Sequence, residues 1–332
     1  MKPERLIVYT LVAGIVISFA FGAGFGVENI MSVLRNAQPA YLGYALFFQV
    51  IAVWATNMRW AKIVEYDGIK TDRWKLFNST LSGIAFSNIT PSSRLGGEPV
   101  RTFFLRKHST ADTAQSLATI ITDRIFDQFS FFLVTIITLF FVLSSFFLPD
   151  WVSIALTVSL VLTLLIMFFI TYLSITHDIS SGIVSLFVKK FDMLKPLRKK
   201  LKDDVSAYSE TVKAFLKKKR LWGWGIFYSS IMWVSDVLRV YFVFLALGAA
   251  VNPKLILIML VLAPLAGLIP LLPGGLGLVE GAMILIYTSS GISLLLAGTA
   301  TMVDRLISYW LLTFGGLFSS YYLGIKKYDE NE

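Results

Sequence analysis

Eleven ionisable residues stand in apolar stretches of this chain: Arg59, Glu98, Arg101, Asp123, Arg124, Asp127, Asp236, Arg239, Glu280, Asp304 and Arg305. At the centre of a bilayer each ionised group costs about 2.5 to 3.5 kcal/mol. Groups of this kind must pair, titrate or bind a ligand. Asp123, Arg124 and Asp127 are spaced to share one helical face, and Asp236 and Arg239, three apart, can pair within one helix. Arg59 lies near the end of its apolar run, where contact with head groups is the alternative role.

Two of these residues sit just past backbone breaks. In Pro270-Leu-Leu-Pro-Gly-Gly-Leu-Gly-Leu-Val-Glu280, Pro270, Pro273, Gly274, Gly275 and Gly277 interrupt any helix, although the sequence is too apolar for a surface loop. Inside a membrane, such backbone is tolerated where it is buried in protein or lines a wet cavity. Arg94-Leu-Gly-Gly-Glu-Pro-Val-Arg101 repeats the idea with Gly96 and Gly97. Here Glu98 is placed to cap a new helix whose first residue is Pro99. Helix starts beside Gly97 and Gly277, with arginines near, suit an anionic group such as a phosphate. Glu98 and Glu280 would repel a phosphate unless they are protonated or face a cationic head group, which leaves proton coupling and a zwitterionic substrate both open. Close helix packing at the Gly-Gly pairs is the purely structural alternative.

The elements that must hold these residues are membrane helices. The chain has 332 residues, 56% of them hydrophobic, and a formal charge of +9, with a mean hydropathy of +0.70. That composition excludes an ordinary soluble domain. Cysteine is absent and the two histidines, His108 and His177, lack ligand spacing, so no metal site or cofactor is expected. Full spans are expected at 6–25, 41–61, 129–148, 152–175, 222–248 and 306–325, with a cleaved signal peptide as the rival reading of the first. Residues 76–89 are too short to cross and suit a half-helix. Between 176 and 220, twelve Lys or Arg face five Asp or Glu, and Leu201, Val205, Tyr208, Val212 and Phe215 write an apolar stripe. A helix so made lies on an anionic membrane surface; a nucleic-acid patch explains the stripe poorly.

The landmarks keep one register. Arg59 and Arg239 stand 180 residues apart, the two Asp-Arg pairs 181, and Glu98 and Glu280 182; chance alignment is the competing account. With the basic loops and both termini cytoplasmic, the parity works only if each broken region returns to the side it entered. The expectation is an all-α polytopic protein of the cell membrane with about six full transmembrane helices and two re-entrant helical hairpins in an inverted repeat. Its parts are a first half at 1–175 with a hairpin near 76–122, a basic cytoplasmic segment at 176–220, and a second half at 221–332 with a hairpin near 254–303.

Neither a nucleophile elbow nor a nucleotide loop is found, nor a cluster of aspartates for a metal. The motifs at 94–101 and 270–280, with Asp123-Arg124-Ile-Phe-Asp127 and Asp304-Arg305 followed by Tyr309-Trp310, resemble the flippase-like membrane region of lysylphosphatidylglycerol synthases. The resemblance covers nearly the whole chain, and Pro-Gly-Gly-Leu-Gly is its most specific part. It implies translocation of a lipid that a soluble domain modifies; the chain ends at Glu332 with no such domain, so the modifying enzyme is expected to be separate. The substrate-binding set is then Arg59, Arg94, Glu98, Arg101, Asp123, Arg124, Asp127, Arg239, Glu280, Asp304 and Arg305. Aminoacylated phospholipid, phospholipid and polyprenyl phosphate are all admissible, and the expected partners are membrane lipids with anionic head groups, a second copy of the chain, and no nucleic acid. A membrane-embedded transferase on a lipid-linked sugar and a transporter of a soluble anion are the alternatives.

Overall fold

Apolar helices of membrane length need partners for whatever polar groups they carry, and that need organises the packing. The computed structural model describes residues 27–90, 96–143, 217–266 and 273–324, with Phe215 and some helical positions between 154 and 165. The expected span at 6–25, most of the one at 152–175 and of the basic segment, Arg94 and Pro270 lie outside the described residues.

After the short α1 (Val27–Arg35), α2 (Pro39–Tyr66) carries proline at its start, where no backbone donor is lost. Its 28 residues measure about 42 Å at 1.5 Å each, more than the hydrocarbon core of ~30 Å. Asp72 caps α3 (Arg73–Ile89), accepting from Trp74 N at 2.7 Å and Lys75 N at 3.0 Å. α4 (Gly97–His108) runs back along α3, and the two outer ends meet: Thr71 bridges Ser109, and Thr110 N donates to Lys70 O at 3.2 Å. The arms cross where a Cβ on Gly97 would lie 2.2 Å from Gly83 O. The helix starts at Gly97, so Glu98 is its second residue and not the expected N-cap, and Gly96 holds the cap position without a side-chain bond.

α5 (Thr113–Leu143) follows, and α6 (Lys219–Ala246) lies antiparallel to α2. Gln38 N donates to Ala246 O at one end, Trp54 meets Tyr228 edge-on at 5.9 Å, and Lys62 sits over Trp224 at the other end. α2, α5 and α6 are long and apolar enough to cross a membrane; α2 and α6 cover the expected spans at 41–61 and 222–248 but for the last two residues of the latter, and α5 begins well ahead of the one expected at 129–148, of which 144–148 lie outside the described residues. α7 (Pro253–Ala266) leads to the second break, where Pro273–Gly275 forms a single 3-10 turn and Gly274, Gly275 and Gly277 take positive φ. Side chains rarely adopt that backbone. α8 (Leu278–Ser289) leaves the break.

α9 (Leu294–Arg305), a π-turn (Leu306–Trp310) and α10 (Leu311–Tyr322) form one uninterrupted helical run. The expected last span at 306–325 is therefore the second part of a longer element. Both Asp-Arg pairs, which stand just ahead of the expected spans at 129–148 and 306–325, lie inside continuous helices, because the segments ahead of them, 113–122 and 294–303, are themselves helical. No strand occurs among the described residues. The apolar core joins α6, α7, α8 and α9 around Phe244, Ile256, Ile258 and Tyr287. Phe47, Phe140, Leu285, Phe314 and Phe318 point outward, as suits helices solvated by lipid.

Candidate functional site: two matched ionic clusters

The first cluster is built on Arg59 of α2, which is buried rather than reaching for head groups. Its Nε donates to Asp123 Oδ1 at 2.8 Å, and its Nη1 donates to Asp127 Oδ1 and to Ser229 Oγ of α6, both at 2.9 Å. Arg101 of α4 takes the other oxygen, Asp123 Oδ2, at 2.9 Å, and its guanidinium stacks on Trp60 at 4.1 Å. Arg124 Nε lies 2.6 Å from Glu98 Oε1 but off the line of a hydrogen bond. Arg124 is also 3.6 Å from Asp127 Oδ2. The Arg124 and Asp127 side chains, 39% and 35% exposed, are the accessible edge of the cluster.

The second cluster repeats the first. Arg239 of α6 donates from Nε to Asp304 Oδ1 at 2.8 Å, and from Nη1 to Asp236 Oδ1 at 2.5 Å and to Gln49 Oε1 of α2 at 2.7 Å. Arg305 Nε donates to Glu280 Oε1 at 2.5 Å, while Glu280 Oε2 accepts from Gly277 N at 2.6 Å. Glu280 thus closes the start of α8 and holds an arginine at once. Arg305 also lies over the Tyr309 ring at 4.4 Å.

The correspondence extends to residues the sequence reading missed. Ser229 and Gln49, the partners that each arginine finds on the opposite helix, are themselves 180 residues apart, and each precedes its own cluster's counterpart arginine by ten. Applying the arginine register to neighbouring polar positions would have found them. Buried ion pairs of this kind add little net stability, but losing one partner costs about 3 to 5 kcal/mol because the other charge is left bare.

The two breaks adjoin. Tyr309 Oη donates to Asn88 O at 3.0 Å, Asn88 Nδ2 donates to Thr313 Oγ1 at 2.9 Å, and a Cβ on Gly274 would lie 2.5 Å from Tyr309 Cε2 and 2.7 Å from Asn88 O. The last turn of α3, the glycine turn at 273–275 and the π-turn therefore share one contact. At the outer end of the first hairpin, Lys107 Nζ donates to Gly324 O at 2.9 Å, and His108 Nε2 lies 3.1 Å from Leu323 O. Of the expected site residues, Arg59, Arg101, Asp123, Arg124, Asp127 and Glu98 come together in one cluster, and Arg239, Asp304, Arg305 and Glu280 in the other. Of the expected break residues, Gly96, Gly97, Pro273, Gly274, Gly275 and Gly277 shape the two turns.

A membrane protein of the UPF0104 group from Methanothermobacter thermautotrophicus is 33% identical over 321 residues, 95% of this chain and 94% of that one. Relatives bearing the same group name from Pyrococcus horikoshii and Methanocaldococcus jannaschii are 28% and 27% identical, covering 88% and 91% of this chain and 89% and 91% of their own. The family model described as the lysylphosphatidylglycerol synthase TM region matches residues 6–316, and the chain belongs to that family of membrane proteins.

Proposed function

We propose that the chain is a lipid translocator of the cell membrane, acting on a lipid with a phosphate-containing head group, and is a transporter rather than an enzyme. The observation that carries this reading is the duplicated glutamate-arginine pair, Glu98 with Arg124 and Glu280 with Arg305, each beside a backbone break and a helix start. In this reading the chain is an inverted repeat. α3 with α4 and α7 with α8 are re-entrant hairpins, and α2 and α6 are counterpart spans of opposite direction. Arg124 supplies a guanidinium that a phosphate can reach, and Glu98 releases it by binding a proton or a cationic part of the head group. Alternation follows if one glutamate-arginine pair opens while the other stays closed. The termini lie on the cytoplasmic side and a separate enzyme modifies the lipid.

The test is translocation of fluorescent lipid analogues, with head groups chosen from lipids that co-purify with the protein, in proteoliposomes. Glu98→Gln and Glu280→Gln proteins should insert and fold, yet each should lose translocation. Equal transport by wild type and both variants, at equal reconstituted protein, would remove the gate role; transfer or hydrolysis of a lipid-linked donor in detergent would favour a transferase.

A further inference from the structure

The two clusters differ at one corner. In the first, Asp123 holds two guanidinium groups, Arg59 on Oδ1 and Arg101 on Oδ2. In the second, Asp304 Oδ1 takes Arg239, but Oδ2 has only the Ser308 hydroxyl at 3.5 Å among the described residues. Arg101 stands three residues past Glu98, and the residue three past Glu280 is Met283, which is buried.

The surroundings have changed in the opposite sense. Beside Arg101 the first cluster has Leu105 and Ile120, four residues past Arg101 and three before Asp123, both packed in one apolar group with Trp60. The same spacings from Met283 and Asp304 give Tyr287 and Thr301. Tyr287 and Thr301 are 1% and 0% exposed, and neither hydroxyl has a hydrogen-bond partner among the described residues. Such hydroxyls are normally satisfied, and Thr299 and Thr313 bond back to their own helices, at Leu295 O and Tyr309 O. Tyr287, from α8, is packed in one apolar group with Ala297, Ala300 and Val303 of α9, the residues that flank Thr301 and Asp304. Where one half carries a cation among apolar side chains, the other carries no cation and two unused oxygens.

We propose that Asp304 Oδ2, Tyr287 Oη, Thr301 Oγ1 and Ser308 Oγ form a binding site for one small monovalent cation, sodium by its preference for carboxylate and hydroxyl oxygens. The ion takes the place that the Arg101 guanidinium fills in the other half. A divalent ion is a poor fit, since it asks for more carboxylate than one aspartate already shared with Arg239. The ion would tie α8 to α9 beside the second break, which makes it a coupling ion if the chain is a translocator; the site itself does not depend on the lipid.

The test is binding and thermal unfolding of the purified full chain in detergent, in sodium chloride against choline chloride at equal ionic strength. Wild type should bind about one radioactive sodium per chain and melt about 2 to 4 °C higher at ten times Kd. Thr301→Val and Tyr287→Phe should each lose that shift, and Met283→Lys, which tethers an ammonium at the same corner, should be indifferent to sodium. Absence of saturable sodium binding to wild type overturns the proposal, with or without folded variants. So does a full-sized shift in Thr301→Val, or stabilisation that follows pH in choline with no response to sodium, which would assign the charge to a proton on Asp304. None of these readouts requires transport, so they stand apart from the fate of the lipid reading.

Discussion

The Tyr309 hydroxyl, on the π-turn that follows Arg305, donates to the carbonyl of Asn88 in the last turn of α3 at 3.0 Å, and Gly274 of the second break packs closely against both residues. A π-turn adds a residue to the local helical repeat and is often found at functional sites. Here it coincides with Tyr309 lying beneath the Arg305 guanidinium while its hydroxyl reaches the first break.

Replacing Tyr309 by Phe keeps the ring and its stacking but removes this bond. The expected loss of stability is about 0.5 to 1.5 kcal/mol, concentrated at the junction. Hydrogen exchange should accelerate in peptides covering residues 86–90 and 273–280 and stay unchanged in the middle of α2. Equal exchange at the junction in both proteins would show that the bond does not hold the breaks together.

Gly97→Ala places a methyl group against the Gly83 carbonyl, a backbone atom that cannot rotate away. Overpacking of this kind typically costs about 1 to 3 kcal/mol. Gly43→Ala, where nothing lies within 4 Å of the new carbon, is the control and should gain a little by helix propensity. Melting temperatures of the two variants in detergent should fall on opposite sides of wild type.

Removal of the Arg59 side chain should be far worse than removal of an exposed arginine. Arg59→Ala strips Asp123 of one partner and Ser229 of another, with an expected cost of about 3 to 5 kcal/mol. Arg59→Lys should recover little, because one ammonium cannot repeat the fork that reaches Asp123, Asp127 and Ser229. Yield and melting temperature of the two variants would show this, and a lysine variant close to wild type would mean that charge alone suffices.

Topology can be read by labelling single cysteines with an impermeant reagent. Lys70→Cys and Asp112→Cys, at the joined outer ends of the first hairpin, should be labelled from one side, and Ala250→Cys, beyond the far end of α6, from the other. All three positions are exposed. Labelling of Lys70→Cys and Asp112→Cys from opposite sides would rule out re-entry of the first hairpin.

How much of this was legible beforehand depended on the range of the interaction. The breaks at 96–97 and 273–277 were readable because proline and glycine act locally, and the Asp236-Arg239 pair because three residues fix it within one helix. The Arg59-to-Asp123 and Arg239-to-Asp304 pairs were suggested by charge in apolar surroundings, yet their partners were set by packing between distant segments. The start of α4 was misplaced because proline is tolerated within a helix's first turn, and Pro99 is the third residue of α4 and not its first. Asn88 gave no signal, and Tyr309 stood out only within the family resemblance, since a backbone carbonyl as acceptor leaves no trace in side-chain chemistry.

Each central arginine is completed by a residue from the opposite half: Arg59 by Ser229, and Arg239 by Gln49. The two clusters are therefore yoked through the α2 and α6 pair. A twist or slide of one helix on the other changes the surroundings of both guanidinium groups together, and any coupling that a ligand at one cluster exerts on the other is reciprocal. Communication across the molecule needs no long relay of side chains, because each half already contains a ligand belonging to its twin.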